Sequence, residues 1–271
     1  KSRAEFSQAL NDMIDEFKDS HFDFLPDDSQ GYYVFDQLTG KKTDMPHIGA
    51  WFAPAKNGYA ITMLMEGMPA AEAGLLKGDI IRSIDGKPFT PVDSLKPIVH
   101  KSVNVQYYRE GEIRAGTVKV VAQPGLDMFL DATRNSSRII DHKGKKIGYI
   151  HLWTMANDDF RNVLQGQVYG KLKDTDAMIL DIRDGFGGRP EGFGDPFFRP
   201  DVRLDWEYGS GGMTMKQLFG YGRPLVVLIN GGSRSAKEVF SAIIKKSGRG
   251  KLIGQTTAGH VLGTIPQRIA D

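Results

Sequence analysis

The chain has 271 residues, 40% hydrophobic and 25% charged, with a formal net charge of +2 and no cysteine. This is an ordinary globular composition, long enough for two domains, with no basic stripe for nucleic acid. The lack of cysteine excludes thiol catalysis, disulfides and cysteine-based metal sites, and no apolar run approaches the roughly 18 residues of a membrane span. The chain opens at Lys1 in a pattern that reads as mid-helix, compatible with a targeting segment upstream.

Residues 1 to 19 carry Phe6, Leu10, Ile14 and Phe17 at helical spacing, and Pro26 with Asp27-Asp28-Ser29 bars continuation. His21, flanked by aromatics, reads by itself as a packed histidine. From Met45 the texture changes to short strands and turns: Ile48 to Phe52, Tyr59 to Leu64, a one-turn helix ending at Gly74, and Ile80 to Ile84 before an Asp85-Gly86 hairpin turn. Leu95, Ile98 and Val99 suit a further helix. Val103 to Tyr108 and Thr117 to Val121 read as a hairpin turning at Glu110-Gly111, and Pro124-Gly125 as a linker.

Beyond that linker, strand and helix alternate, the signature of an α/β fold. Lys146 to Leu152 is a strand, Asp158 to Leu172 a helix, and Ala177 to Arg183 a strand of the fully buried type ending in Asp184-Gly185-Phe186-Gly187-Gly188. Residues 189–223, rich in Pro, Gly and aromatics, form a long excursion without assignable elements. Leu225 to Ile229 is again a buried strand. It breaks at Asn230-Gly231-Gly232 and leads through Ser233-Arg234-Ser235 into a helix from Ala236 to Lys246, ended by Gly248. A serine on such a turn sits at the carboxyl edge of a sheet, where unpaired N–H groups of the first helical turn can face an oxyanion. The alternative is a plain helix cap.

Two resemblances organise these readings. Gly67-Met68-Pro69-Ala70-Ala71-Glu72-Ala73-Gly74-Leu75-Leu76-Lys77-Gly78-Asp79-Ile80-Ile81, continued by Ile84-Asp85-Gly86, resembles the PDZ domains of bacterial proteases. It implies a groove that takes an extended peptide as an added strand, with the Ile48-Gly49-Ala50 loop receiving a terminal carboxylate. The helix of Leu95, Ile98 and Val99 would line the other side of that groove. The alternative is that Ile48 and Ala50 only fill the core and the groove is empty. With this module, the Asp184 to Gly188 loop and the Ser233-Arg234-Ser235-Ala236-Lys237-Glu238 turn resemble the C-terminal processing (tail-specific) peptidases and their tricorn-type relatives, a family of serine peptidases.

That resemblance implies a mixed, multi-domain α/β protein: an N-terminal helical region and linker over 1–44, a PDZ β-sandwich or barrel-like module over 45–123, and a ClpP/crotonase-like peptidase core over 124–271, cut short at its C-terminal end. It implies Ser235 as nucleophile, Ser233 as structural, and oxyanion N–H groups from Ala236 and from Gly187 of the Gly187-Gly188 pair. The processing branch uses a lysine 25 positions after the nucleophile, but here that position holds His260. The tricorn-type branch uses a histidine from the N-terminal region, which Ser20-His21 matches. His21 is therefore the expected base, with Ser20 orienting the site and His260 as the rival base.

The remaining histidines are scattered, His151 on a strand and His47, His100 and His142 in loops or helix ends. No metal and no cofactor are expected. The implied activity is endoproteolysis through an acyl-enzyme, with the PDZ module binding or gating substrate C-termini. The alternative is an inactive peptide-binding scaffold. Expected partners are a polypeptide and, as an assembly, further copies of the chain. The expected place is the periplasm or cell envelope, with the cytoplasm as the alternative.

Overall fold

The structure is a computed structural model and describes residues 3–17, 22–199, 202–208, 213–218 and 220–263. The chain forms two compact units, one running up to Phe129 and a second, Leu130–Val261.

The first unit opens with helices α1 (Arg3–Asp15) and α2 (Gln30–Leu38). The first helix ends at Asp15, well before the Asp27-Asp28-Ser29 turn, and that turn instead starts a second helix. Ser29 is the N-cap, its side chain accepting the Tyr32 N–H at 3.3 Å. A serine cap just before Tyr33 and Val34, both buried, is a helix-start signal.

Then come β1 (Asp44–His47), β2 (Ala50–Ala55), β3 (Gly58–Leu64), the single turn α3 (Pro69–Glu72), β4 (Ile80–Ile84), β5 (Lys87–Pro88), β6 (Ser102–Arg109), β7 (Glu112–Lys119) and β8 (Val121–Pro124). The main sheet runs β2-β3-β4-β6-β7, with β5 on β4, and every pairing in it is antiparallel. β1 and β8 pair separately. The sheet closes over Ile48, Phe52, Ile61, Ile81, Val103 and Val105, each worth about 1.5–3 kcal/mol when fully buried. Buried Asp79 ties the fold together: it accepts the Leu76 N–H at 2.8 Å and receives Arg109 on both oxygens at 2.7 and 2.6 Å.

Two sequence expectations change here. The helix expected around Leu95 to Val99 is one 3₁₀ turn, Lys96–Ile98. Pro97 lies within it and removes a donor that a longer helix would need. Pro124-Gly125 is not a linker, because Pro124 closes β8 and Gly125 opens α4 (Gly125–Ser136). A Cβ on Gly125 would lie 2.8 Å from the Val34 nitrogen, so glycine is there for close approach.

The second unit continues with β9 (Arg138–His142), β10 (Lys145–His151), α5 (Asp158–Tyr169), β11 (Ala177–Asp181), α6 (Asp195–Phe198), β12 (Arg203–Tyr208), β13 (Met213–Leu218), β14 (Leu225–Ile229), α7 (Ala236–Lys246) and β15 (Lys251–Gly254). Its sheet order is β15-β14-β11-β10-β9, parallel from β10 to β15 with β9 antiparallel at one edge. β11 and β14 are inner strands, which is why both read as unbroken apolar runs. Phe160, Leu164 and Val168 of α5 and Phe240 and Ile244 of α7 are buried. The unassigned excursion contains α6 and a β12-β13 hairpin. Among the described residues no helix is long and apolar enough to cross a membrane.

Candidate active site

Parallel pairing of β11 with β14, Asp181 opposite Leu228, brings their two carboxyl ends side by side. The loops that leave them are stitched by a reciprocal pair of bonds: Asn230 Nδ2 donates to Asp184 Oδ1 and the Asp184 N–H donates to Asn230 Oδ1, both at 3.0 Å. Asn230 Oδ1 also accepts the Gly232 N–H at 2.9 Å. Ser233 is fully buried, its hydroxyl donating to Ile182 O at 2.9 Å and accepting the Asn230 N–H at 3.1 Å. With both lone pair and proton engaged, Ser233 is a structural member of the turn.

Ser235 stands at the N-cap of α7 with φ 56° and ψ −123°. A positive φ at a non-glycine residue is strained, typically by about 1–3 kcal/mol, and is held only where the surroundings over-determine it. They do so here. The Ser235 N–H lies 2.9 Å from His260 O and 3.1 Å from Glu238 Oε2, and Ala258 N–H donates to Ser233 O at 3.1 Å. Glu238 Oε1 takes the Gly259 N–H at 2.6 Å and Oε2 the His260 N–H at 2.8 Å. Burial alone would raise the Glu238 carboxyl, but these N–H donors and Thr257 outweigh it and hold it below its usual value.

The glycine loop passes directly beside the serine. A Cβ on Gly187 would stand 2.5 Å from Ser235 Cβ and 2.9 Å from its Oγ, so only glycine fits. The loop is pinned from its other side: Gly187 O accepts Met155 N–H at 2.8 Å and the Thr154 hydroxyl at 2.9 Å, and Arg189 N–H donates to Met155 O at 2.9 Å. Among the described residues, the N–H groups of Ala236, Gly187 and Gly188 meet no acceptor. Gly188 lies further off, its Cβ position falling against the Met155 carbonyl rather than against Ser235.

Sequence reasoning passed over Lys237. Its side chain is wholly buried, with Nζ donating to Trp153 O at 2.9 Å and Asp184 O at 2.6 Å. Burial pushes its pKa down to about 7, against the opposing pull of Asp181 and Asp184. A neutral amine has two N–H donors, which matches the two carbonyls it meets. The signal in the sequence was a lysine on the apolar face of α7, at a position where a hydrophobic residue would ordinarily sit.

The structure therefore brings Ser235, Ala236, Gly187 and the His260 main chain together. Ser20 and His21, the expected base pair, lie outside the described residues. His151 is buried, stacked on Trp153 with centroids 3.9 Å apart and Nε2 3.0 Å from Arg183 O. His47 was expected in a loop or at a helix end, but it is buried on β1. Its Nδ1 accepts the Gly49 N–H at 3.0 Å. Its Nε2 is buried and has no partner among the described residues, and burial pushes its pKa down to about 4. In the loop expected to receive a carboxylate, Ile48 O accepts Ala70 N–H at 2.8 Å and Gly49 O accepts Met65 N–H at 3.0 Å. Ile48 and Ala50 are both core residues.

Comparison with known proteins agrees with this anatomy. Residues 146–271 match the model of peptidase family S41, and residues 46–120 match a PDZ domain. The second unit is thus similar to the peptidases of family S41, and the strand-rich region before it to PDZ domains. Among curated relatives it is similar to a carboxyl-terminal-processing protease of Synechocystis sp., 26% identical over 219 residues, covering 77% of this chain and 51% of the relative. It is similar to the chloroplastic carboxyl-terminal-processing peptidase 2 of Arabidopsis thaliana, 27% identical, covering 74% of this chain and 42% of the relative. A putative tricorn-like protease C-terminal subunit of Sulfurisphaera tokodaii is 24% identical, covering 100% of this chain and 32% of the relative. The chain spans about half the length or less of these relatives. In fold it resembles the photosystem II D1 C-terminal processing protease, with TM-score 0.50, 20% identity and coverage of 96% of this chain and 72% of that one.

Proposed function

We propose that this chain cleaves polypeptides through an acyl-enzyme on Ser235. The observation that carries the reading is the juxtaposition of Ser235, at positive φ on a strand-to-helix turn, with Gly187 at Cβ contact distance. The hydroxyl attacks a scissile carbonyl, and the unpaired N–H groups of Ala236 and Gly187 receive the oxygen on which charge develops. One such donor is worth roughly 3 kcal/mol in the transition state. The base takes the serine proton and returns it to the leaving amine; water then attacks the acyl carbonyl by the same route.

The base is His21, carried over from the tricorn-type pattern, with His260 as its rival. An imidazole of ordinary pKa is suited to proton transfer at neutral pH. His260 has the support of position, since its main-chain oxygen lies 2.9 Å from the Ser235 nitrogen. Lys237 is engaged by two carbonyls and serves as a holder of the loop. The PDZ unit would present or gate substrate C-termini. The names of the relatives favour a substrate trimmed near its carboxyl end, and such enzymes in bacteria are commonly exported, which favours the periplasm or cell envelope.

The test is cleavage of an unfolded protein such as casein by the chain and by Ser235→Ala, His21→Ala and His260→Ala variants. The expected result is loss in Ser235→Ala and His21→Ala with activity retained in His260→Ala. Cleavage surviving in Ser235→Ala overturns the mechanism. Loss in His260→Ala alone moves the base there, and no cleavage by any form with retained peptide binding makes the protein a scaffold.

A further inference from the structure

β2 is an edge strand. It pairs with β3 on one side and is first in its sheet, so its other side turns main-chain groups outward. Two of those groups are already taken. Gln30 of α2 donates from Nε2 to Ala50 O at 2.9 Å and accepts the Phe52 N–H on Oε1 at 3.0 Å, and both bonds are buried. A carboxamide carries the same donor and acceptor as a peptide group, so Gln30 makes with β2 the pair of bonds that one residue of an added strand would make. The next outward residue is Pro54, which has no N–H. Ala50 and Phe52 therefore hold the only outward donor and acceptor pair of this kind on the strand.

The rest of α2 covers the same ground. Tyr33, one turn further along the helix, is buried, and its phenol lies in the field of Lys96 and Asp93. Those two residues belong to the segment whose 3₁₀ turn replaces the expected groove helix. α2 thus holds the edge of β2 and lies within electrostatic range of the segment expected opposite it.

We propose that α2 is a displaceable plug, with Gln30 occupying the pairing edge of β2 that an extended peptide would take. A peptide then adds to β2 only in the fraction of molecules from which Gln30 has withdrawn, and its apparent affinity is reduced by that fraction. The inference rests on reading the β2 edge as the peptide site. It is independent of any catalytic chemistry in the other unit.

Two measurements test it. In a Ser235→Ala background, fluorescein-labelled decapeptides with apolar, free C-termini are titrated by polarisation against the chain and its Gln30→Met variant, which keeps the side chain's length but removes both bonds. Gln30→Ala serves as a second variant should methionine disturb the fold, which circular dichroism reports. Hydrogen exchange at the Phe52 amide is followed in parallel. The expected result is peptide binding tightened roughly tenfold or more in Gln30→Met, with faster Phe52 exchange in the absence of peptide. Equal peptide affinity in both forms, with Phe52 exchange accelerated, overturns the plug and leaves the groove standing. Absence of peptide binding in every folded form overturns the groove and the plug with it.

Discussion

The side-chain nitrogen of Lys237 donates to the main-chain oxygen of Asp184 at 2.6 Å, tying the first turn of α7 to the loop that carries Gly187. The same nitrogen reaches Trp153 O at 2.9 Å, so one buried amine holds the ends of two strand-loop segments against the helix that begins at Ser235.

That amine titrates where it matters. The lysine pKa falls from 10.5 to about 7 in the fold. Between those values the unfolded chain binds more protons than the folded one, so this group makes stability rise with pH, by up to about 1.4 kcal/mol per unit, and contributes no slope below pH 7. Lys237→Met should flatten the pH dependence of the urea midpoint between pH 7 and 10. It should also lower kcat while leaving KM little changed, because the loop loses its anchor and Ser235 does not. A variant with the wild-type pH slope would show that Lys237 stays charged in the fold.

Gly187→Ala should be more damaging to turnover than its size suggests. The added carbon would sit 2.5 Å from Ser235 Cβ and 3.1 Å from Arg234 O, so loop or serine must shift. On the proposed mechanism, in which the Gly187 N–H faces the oxyanion, a fall in kcat of about 10²-fold or more is expected. Steady-state kinetics on a fluorogenic peptide checks this. Gly188→Ala should act mainly on stability, since its Cβ would meet Met155 O and C at 2.1 and 2.2 Å.

Glu238→Gln should loosen the turn at Ser235. The carboxylate accepts N–H groups from Ser235, Gly259 and His260, and an amide would turn its NH₂ toward one of these donors. A destabilisation of about 1–3 kcal/mol at pH 7 is expected. Because the folded pKa lies below the ordinary 4.5, the wild-type advantage is complete above that value and disappears as pH falls through the folded pKa. Chemical denaturation of both proteins from pH 7 to pH 3 should show the two curves converging.

The PDZ unit should carry a separate acid sensitivity at His47. Its ring is held neutral, with a pKa near 4 against the ordinary 6.5, so the unfolded chain takes up a proton first as pH falls. Stability from this group therefore falls between about pH 6.5 and pH 4, by up to about 1.4 kcal/mol per unit. His47→Asn, whose side-chain oxygen can still accept the Gly49 N–H, should remove that slope. Thermal melts of the chain across this range would show an unchanged slope if the imidazole were not the sensor.

Much of the architecture was legible because local rules and tertiary needs agree. The runs Ala177 to Asp181 and Leu225 to Ile229 are apolar on both faces because they are inner strands of a parallel sheet. The Glu110-Gly111 and Asp85-Gly86 turns are positive-φ turns, and their residues announce it. What escaped was whatever depends on packing between distant segments. α2 was hidden because a proline and three turn residues precede it. The hairpin of β12 and β13 lay in a stretch without alternation strong enough to read.

Ser235 shows where the division falls. Its turn, its helix and its glycine partner follow from chain-local pattern, because a buried strand, a break and an amphipathic helix can hardly be arranged otherwise. Sequence also sufficed for the S41 and PDZ resemblance. Only the tertiary structure could show how closely Gly187 abuts the serine, that a lysine lies buried beneath the loop, and that Gln30 already holds the edge of β2. Each of these is a contact between segments far apart in the chain, made in a low-dielectric interior where a buried amine or amide has to find its partners. Periodicity can say that a side chain faces inward, but which carbonyl it meets there is decided when the strands pair.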